Sequence, residues 1–169
     1  MKISALFEDV YKEDLRYDFK AVLNQDNPIK WAKTLVAFSN NIGGILFVGV
    51  SDDGEAFGLS LQEIDKTKNL IAKVNERHIF PHVKIGYMLR SIDDNAERFV
   101  LAVKVHPCES IVRYKEGDFS ETVYIKGDGN ATPATPEEII ALPKRKYGVD
   151  DEISEILGRS LLERLFMSM

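Results

Sequence analysis

The sequence predicts a mixed α/β fold of the α+β type, with helices packed on a mixed β-sheet that contains several hairpins. Three observations predict it. Segments with the two-residue period of a strand are interleaved with segments of helical period. Short turn signals separate several neighbouring strands. The 169 residues are enough for one domain with a hydrophobic core. Interleaved elements of both kinds favour helices packed on a sheet.

The first predicted strand covers residues 15–23. Leu15, Tyr17 and Phe19 alternate there with charged residues, which is the pattern of a half-buried strand. The charged side, which includes Arg16, Asp18 and Lys20, is typical of a solvated ladder of alternating charges.

A helix is predicted next, from Pro28 to about Asn41, with Asn27 as its N-cap. Trp31, Leu35 and Phe38 form its apolar stripe. The residues predicted to fall on the opposite face are Lys30, Lys33, Ala37, Asn40 and Asn41.

The segment SNNIGGILFVGVSDDGEAFGL, residues 39–59, allows two interpretations. A phosphate-binding loop needs the order strand, loop, helix, and a Lys-Ser/Thr pair after the glycines. Here a helix precedes Gly43-Gly44, a strand follows, and that pair is missing. We therefore interpret Gly43-Gly44 as a helix end. A buried strand over 45–50, a turn at Asp53-Gly54 and a returning strand over 56–59 are expected to follow.

The remaining elements follow from capping signals and alternation. Ser60 and Glu63 predict a capping box for a helix whose buried face is Ile64, Thr67, Ile71 and Val74. Residues 83–92 and 98–106 predict a hairpin, and residues 121–127 another strand. Thr135 and Glu138 predict a short helix that reaches Leu142. We expect one domain over residues 1–143. Residues 144–169 would be a linker and a C-terminal amphipathic helix, for dimerisation or for joining a further domain.

The composition of the chain excludes several classes of protein and several kinds of site. The formal net charge is −5, which argues against coating nucleic acid by charge alone and requires a localised site for any such role. One cysteine, Cys108, excludes an internal disulfide and a cysteine-rich zinc site. No apolar run approaches a membrane span, and the N-terminus lacks a signal-peptide pattern. A cytoplasmic location is expected, with no membrane partner.

Two groups of polar residues are candidates for chemistry. Glu13, Asp18 and Asp52 could supply oxygen ligands to Mg²⁺ or Mn²⁺ if the chain brought them together, although Asp52 also fits ordinary turn chemistry. Lys20 and Lys126 lie on predicted strands near aromatic residues. Interleaved basic and aromatic residues are typical of single-strand binding, although their spacing alone favours an ordinary solvated surface.

The order of the motifs resembles one known family. EDLRYDFK, then WAKTLVAFSNNIGGILFVGVSDDGEAFGL, then IFPHV and finally VYIKGDGNATPATPEEIIAL together resemble the Schlafen AlbA_2 domain, also catalogued as a divergent AAA or AAA-4 domain of bacterial proteins. The resemblance covers about residues 8–143. It implies an Alba-like mixed sheet and a nucleic-acid-binding module of the transcription-regulator type, with DNA or RNA as partner and a homodimer as the assembly.

The resemblance also implies site residues. Some animal Schlafens are RNA endonucleases that use three carboxylates, and these positions fall on Glu13, Asp18 and Asp52. They imply an alternative function as a Mg²⁺- or Mn²⁺-dependent endoribonuclease. ATP or nucleotide binding is a second alternative, from the family's older label. The candidate nucleic-acid contacts are Lys20, Lys33, Asn40 and Lys126. Asp18 stands where the family has glutamate, and Lys126 where it has arginine, so the two-pronged arginine contact to phosphate is lost.

Overall fold

The computed structural model describes residues 1–11, 16–94, 97–126 and 130–147, together with the single positions 156, 159, 162 and 163. Within these residues there are four helices and nine strands. The helices are α1 Ile3–Leu6, α2 Ile29–Ser39, α3 Leu61–His78 and α4 Pro136–Tyr147. The strands are β1 Arg16–Lys20, β2 Gly44–Val48, β3 Ile79–Phe80, β4 Ile85–Ser91, β5 Phe99–Val105, β6 Arg113–Lys115, β7 Glu121–Thr122, β8 Tyr124–Lys126 and β9 Ala131–Pro133.

The main sheet has four strands in the order β1-β2-β5-β4. β1 and β2 are parallel, with Asp18 opposite Leu46, because α2 connects them as a crossover helix. β5 is antiparallel to both β2 and β4, so β4 and β5 form the predicted hairpin. Two smaller sheets have the orders β3-β6-β7 and β8-β9. The predicted α+β class with a mixed sheet is confirmed.

Two hydrophobic clusters lie on the two faces of this sheet. The larger cluster contains residues of α2 and α3, such as Leu35 and Ile71, packed with Leu46 of β2. The smaller cluster packs Phe7 of the N-terminal segment against Phe47. All five residues of β2 are buried. The prediction of a strand buried on both faces is therefore confirmed.

The capping predictions are confirmed at two helices. At α3, the Ser60 hydroxyl accepts the Glu63 N–H at 3.2 Å, and the Glu63 carboxylate accepts the Ser60 N–H at 3.2 Å. At α4, Thr135 and Glu138 make the same pair of bonds at 3.0 and 3.2 Å. The four residues predicted for the buried face of α3 are its buried residues.

The start of α2 differs from the prediction. Its N-cap is Pro28, one residue after the predicted Asn27, and no side chain caps it. The side-chain oxygen of Asn24 instead accepts the backbone N–H groups of Asp26 and Asn27. These bonds form a turn before the helix and leave the first N–H groups of α2 without a side-chain acceptor.

Other segments depart from the predictions because distant parts of the chain decide them. Ala37 and Asn40 are buried although they lie opposite the apolar stripe, since β6 and β8 pack on that side of α2. Residues 56–59 form single bridges to Val50 and Phe99 instead of a returning strand. The strand predicted over residues 121–127 divides into β7 and β8, which belong to different sheets.

The last helix of the fold, α4, is longer than predicted. α4 continues past Leu142 to Tyr147, into the segment predicted as a linker. The predicted C-terminal amphipathic helix lies largely outside the described residues, but Leu162 packs against the small cluster of Val123, Ile139 and Leu142. In the part of the chain that the structure describes, no helix is long and apolar enough to cross a membrane.

The Gly43-Gly44 pair ends α2 and fits closely against its neighbours. Gly43 has φ +88°, and its N–H donates to the Phe38 carbonyl at 2.9 Å, as in a left-handed helix end. A Cβ on Gly43 would lie 2.7 Å from the Val105 carbonyl oxygen, and one on Gly44 would lie 2.6 Å from the Phe38 ring. Protein atoms therefore occupy the space beside both glycines.

We expect Gly44→Ala to lower the free energy of unfolding by about 1–3 kcal/mol, because the added methyl group overlaps the buried Phe38 ring. Urea titration followed by Trp31 fluorescence measures the change. Gly86→Ala is the matched control, since the nearest atom recorded around a Cβ there lies 4.0 Å away. Equal midpoints for Gly44→Ala and the wild type would contradict the expectation.

Candidate functional site

The candidate site is built around Asp18, on the edge strand of the main sheet. The alternation of β1 directs Tyr17 and Phe19 into the smaller hydrophobic cluster and places Asp18 on the face covered by α2. One carboxylate oxygen of Asp18 accepts the Phe19 N–H at 3.0 Å, and the other accepts the Thr34 hydroxyl of α2 at 3.2 Å. Lys20 Nζ lies 3.9 Å from the second oxygen. The Asp18 side chain is 23% exposed.

Lys126 interacts electrostatically with this carboxylate and with three further cations, Arg16, Lys20 and Lys33. Burial lowers the pKa of Lys126 below its ordinary value. The positive charges of Arg16, Lys20 and Lys33 lower the pKa of Lys126 further, whereas the negative charge of Asp18 opposes the shift. We call the four cations the cationic cluster. Among the described residues, Asp18 is the carboxylate whose negative charge acts on Lys126.

The position of Lys126 depends on the packing of β8 against α2. Lys126 Nζ lies 5.6 Å from the centroid of the buried Phe38 ring, within cation–π range. The Arg16 guanidinium donates to the Lys126 carbonyl at 3.5 Å, which connects β1 to β8. The cluster therefore combines residues from β1, α2 and β8. Partial removal from water strengthens its field relative to that of exposed lysines.

Asn40 is buried, and its side chain binds the backbone of neighbouring segments. It is 3% exposed at the end of α2. Its amide nitrogen donates to the Val112 carbonyl at 2.9 Å and the Tyr124 carbonyl at 3.0 Å, and its oxygen accepts the Val112 N–H at 2.7 Å. Asn40 was predicted as a nucleic-acid contact. In the structure its amide binds the backbone beside β8, so we do not include it in the contact surface.

The acidic triad implied by the family resemblance stays a prediction, because Glu13 lies outside the described residues. Asp52 is exposed in the turn after β2. That turn packs toward the opposite face of the sheet from Asp18, because a Cβ on Gly54 would lie 3.7 Å from the Phe19 ring.

The carboxylate of the neighbouring Asp53 accepts the hydrogen bonds that stabilise this turn. The Ser51 hydroxyl donates to its carboxylate, and the Glu55 N–H donates to it at 3.3 Å. The pKa of Asp53 is lowered from its ordinary value, first by the Ser51 hydroxyl and then by the Glu55 N–H.

Both oxygens of Asp18 accept protein hydrogen bonds, and Lys20 Nζ lies 3.9 Å from one of them. A cation this close disfavours Mg²⁺ or Mn²⁺ beside the carboxylate. Among the described residues, which leave out Glu13, no group of three or more His, Cys, Asp or Glu side chains could hold a metal ion.

The nucleotide alternative gains no support at Gly43-Gly44, where protein atoms fill the space beside both glycines. A separate open cleft of about 530 Å³ lies between residues 22–25 and α3. Leu23, Leu59 and Leu70 contribute apolar lining, with Lys66 and Lys73 among the polar lining residues. Neither glycine of the pair lines it.

Arg16 is a site residue that the sequence analysis did not single out. The signal was present, because alternation places it on the same side of β1 as Asp18 and Lys20. Because the charged side of β1 was interpreted as a solvated charge ladder, Arg16 was not identified as a candidate site residue. All five residues of β1 are half-buried, and α2 packs against this strand.

The fold and the cationic cluster together define a mixed α/β domain with concentrated positive charge at the edge of its sheet. The model of the Schlafen AlbA_2 family matches residues 13–135, well over half of the sequence. The chain belongs to the Schlafen AlbA_2 family, which confirms the resemblance. At the level of this family it is a nucleic-acid-related domain.

Among solved structures, the chain is similar to the crystal structure of the DIP2311 protein from Corynebacterium diphtheriae, with a TM-score of 0.58 and 18% sequence identity. The match covers 88% of this chain and 33% of that chain, so our sequence spans about a third of the length of that protein. At this identity the similarity shows the fold alone. No curated protein sequence matches the chain.

Proposed function

We propose that the chain is a nucleic-acid-binding module of the transcription-regulator type, with DNA or RNA as its partner. The observation that supports this proposal is the grouping of Arg16, Lys20 and Lys33 near enough to Lys126 for their positive charges to act on it, beside Asp18 of β1. Lysine and arginine neutralise phosphates and release counterions, which supplies most of the affinity of non-specific binding. A cluster of this kind provides the localised site that a chain with a net charge of −5 requires.

Three further features support a phosphate-binding role for the cluster. Lys126 is held against Phe38 and β1, so less side-chain freedom is lost when an anion binds. Lys20 and Lys33 are half-buried, which reduces their screening by salt. Backbone contacts of this kind position a protein on nucleic acid without reading its sequence.

We also propose that the module acts as a cytoplasmic homodimer, as the family resemblance implies. A two-fold pair would present two copies of the cluster to one nucleic acid. The stoichiometry of the binding titration described next reports on this assembly.

Fluorescence anisotropy with labelled single- and double-stranded DNA and RNA tests the proposed function. We expect binding at about 50 mM salt, with log affinity falling linearly with log salt concentration up to about 200 mM. Absence of binding to all four probes at the lowest salt would overturn the proposal.

Asp18→Asn separates nucleic-acid binding from the alternative of a Mg²⁺- or Mn²⁺-dependent endoribonuclease. Asparagine can still accept the Thr34 hydroxyl, and it removes the negative charge that offsets the cluster. If the negative charge of Asp18 only offsets the positive charge of the cluster, the variant should bind nucleic acid about two- to fivefold more tightly. This change in affinity corresponds to the free energy of one surface ion pair.

Asp52→Asn is the matched control, because it removes the same charge from an exposed turn and should leave affinity unchanged. Cleavage of RNA with Mg²⁺ or Mn²⁺ is measured beside affinity. Wild-type cleavage that disappears in both Asp18→Asn and Asp52→Asn would replace the binding proposal with the endoribonuclease.

A further inference from the structure

The face of the main sheet opposite α2 is covered incompletely. In the described part of the chain, the N-terminal segment and the turn after β2 pack across one end of it. The Phe7 ring lies 5.1 Å from Phe47, and the Arg90 guanidinium lies 4.7 Å above Phe7 while it binds Asp9. The next row across the sheet runs from Tyr17 through residues 45, 104 and 86 of the neighbouring strands.

Three basic side chains lie at the open end of this face. Lys104 is exposed and stands in the row, opposite Gly86. Lys84 and His106 follow by alternation on the same face, and the His106 N–H donates to the Lys84 carbonyl at 3.0 Å. A Cβ on Gly86 would lie 4.0 Å from His106 Nε2, so the ring lies over open backbone. We call Lys84, Lys104 and His106 the basic trio.

The trio is close enough for its charges to interact. Burial lowers the pKa of His106 below its ordinary value, and the positive charges of Lys104 and Lys84 lower it further. An anion placed among the three would relieve this repulsion and favour the protonated imidazole.

An aromatic platform lies at the other end of the same row. The Tyr11 and Tyr17 rings stack with centroids 4.2 Å apart and planes 6° from parallel. The Tyr17 hydroxyl donates to the Val10 carbonyl at 3.3 Å, which orients the stack. Tyr11 is 38% exposed. Tyr17 and Lys104 are separated by two strand spacings, about 10 Å between their backbones.

We propose that this row is a second nucleic-acid contact, specific for single strands, in which Tyr11 stacks on a base and the basic trio binds phosphate. A base can reach Tyr11 only when it is free of its own helix, so duplexes are excluded from the platform. Aromatic side chains beside basic ones on a sheet face bind single strands with little sequence preference, since every base offers a flat π-surface. The contact goes beyond the proposed function and uses none of the cationic cluster.

Single strands that contain 2-aminopurine test the proposal, because the fluorescence of this base falls when it stacks. The probes are hexamers of deoxyribose and of ribose, which distinguish DNA from RNA. We expect quenching with the wild type. Lys84→Gln/Lys104→Gln should weaken hexamer binding about tenfold and leave duplex affinity within about twofold, since each lost phosphate contact weakens all single strands alike. Tyr11→Leu should abolish the quenching.

Lys33→Gln/Lys126→Gln serves as the comparison, with the same change of charge in the cationic cluster. It should weaken duplex binding and preserve the quenching of the hexamers, so that failure of one surface can be told from failure of the other. The second contact is overturned if neither hexamer is quenched by the wild type. It is also overturned if Lys84→Gln/Lys104→Gln and Tyr11→Leu both bind and quench as the wild type does.

Discussion

Replacing Asn40 with alanine is expected to lower the free energy of unfolding by about 3–5 kcal/mol, since several buried polar groups lose their partners together. The three bonds of the Asn40 amide hold Val112 and Tyr124 against the end of α2. Val112 is fully buried, so water cannot replace the lost partner without a rearrangement. A loss of this size is a large share of the total stability of an ordinary domain, about 5–15 kcal/mol.

Urea denaturation followed by Trp31 fluorescence measures this loss. Asn41→Ala is the matched control, because the neighbouring Asn41 is half-buried and should change stability by about 0.5 kcal/mol or less. Asn40→Asp should be at least as damaging as Asn40→Ala, since it places a carboxylate oxygen against two carbonyls. An unfolding midpoint for Asn40→Ala equal to that of Asn41→Ala would show that Asn40 does not hold these segments.

Asn40 also connects stability with the candidate site. The Tyr124 carbonyl that it binds lies two residues before Lys126, at the start of β8. Loss of this bond should allow β8 to shift from α2 and disperse the cationic cluster. The family motif identified Asn40 as important, and the structure gives that importance a structural cause.

Local signals predicted those parts of the fold whose chemistry is local. The capping boxes at Ser60 and Thr135 each need side chains three residues apart, so the sequence contains both partners. In β4 and β5, the alternation of apolar and polar residues shows which face of each strand is buried, and the continuous apolar run of β2 shows that both of its faces are buried.

Non-local packing explains the predictions that were wrong. Nothing within α2 shows that β6 and β8, more than seventy residues later, would bury Ala37 and Asn40. The same packing changed Arg16, Asp18 and Lys20 from an expected solvated ladder into a half-buried cluster. The convergence of Glu13, Asp18 and Asp52 stays a prediction, because Glu13 lies outside the described residues.

The second large effect is expected for Lys33→Gln/Lys126→Gln, which should weaken duplex binding roughly 10- to 100-fold at low salt because two charge-assisted contacts are lost. The slope of log affinity against log salt should fall by about 1.8 on duplexes, because two phosphates are no longer neutralised. Glutamine keeps much of each side chain, so the packing of Lys126 over Phe38 is disturbed little.

The matched control is Lys66→Gln/Lys73→Gln on α3, which lowers the net charge by the same amount beside the separate cleft. Its affinity should stay within about threefold of the wild type, because both lysines are exposed and their charges are well screened by salt. Circular dichroism and urea denaturation confirm that both variants fold. Equal weakening by the two double variants would mean that overall charge, instead of the arrangement around Asp18, determines binding. Selective weakening by Lys33→Gln/Lys126→Gln would localise the phosphate contact to the surface that α2 and β8 build at the sheet edge.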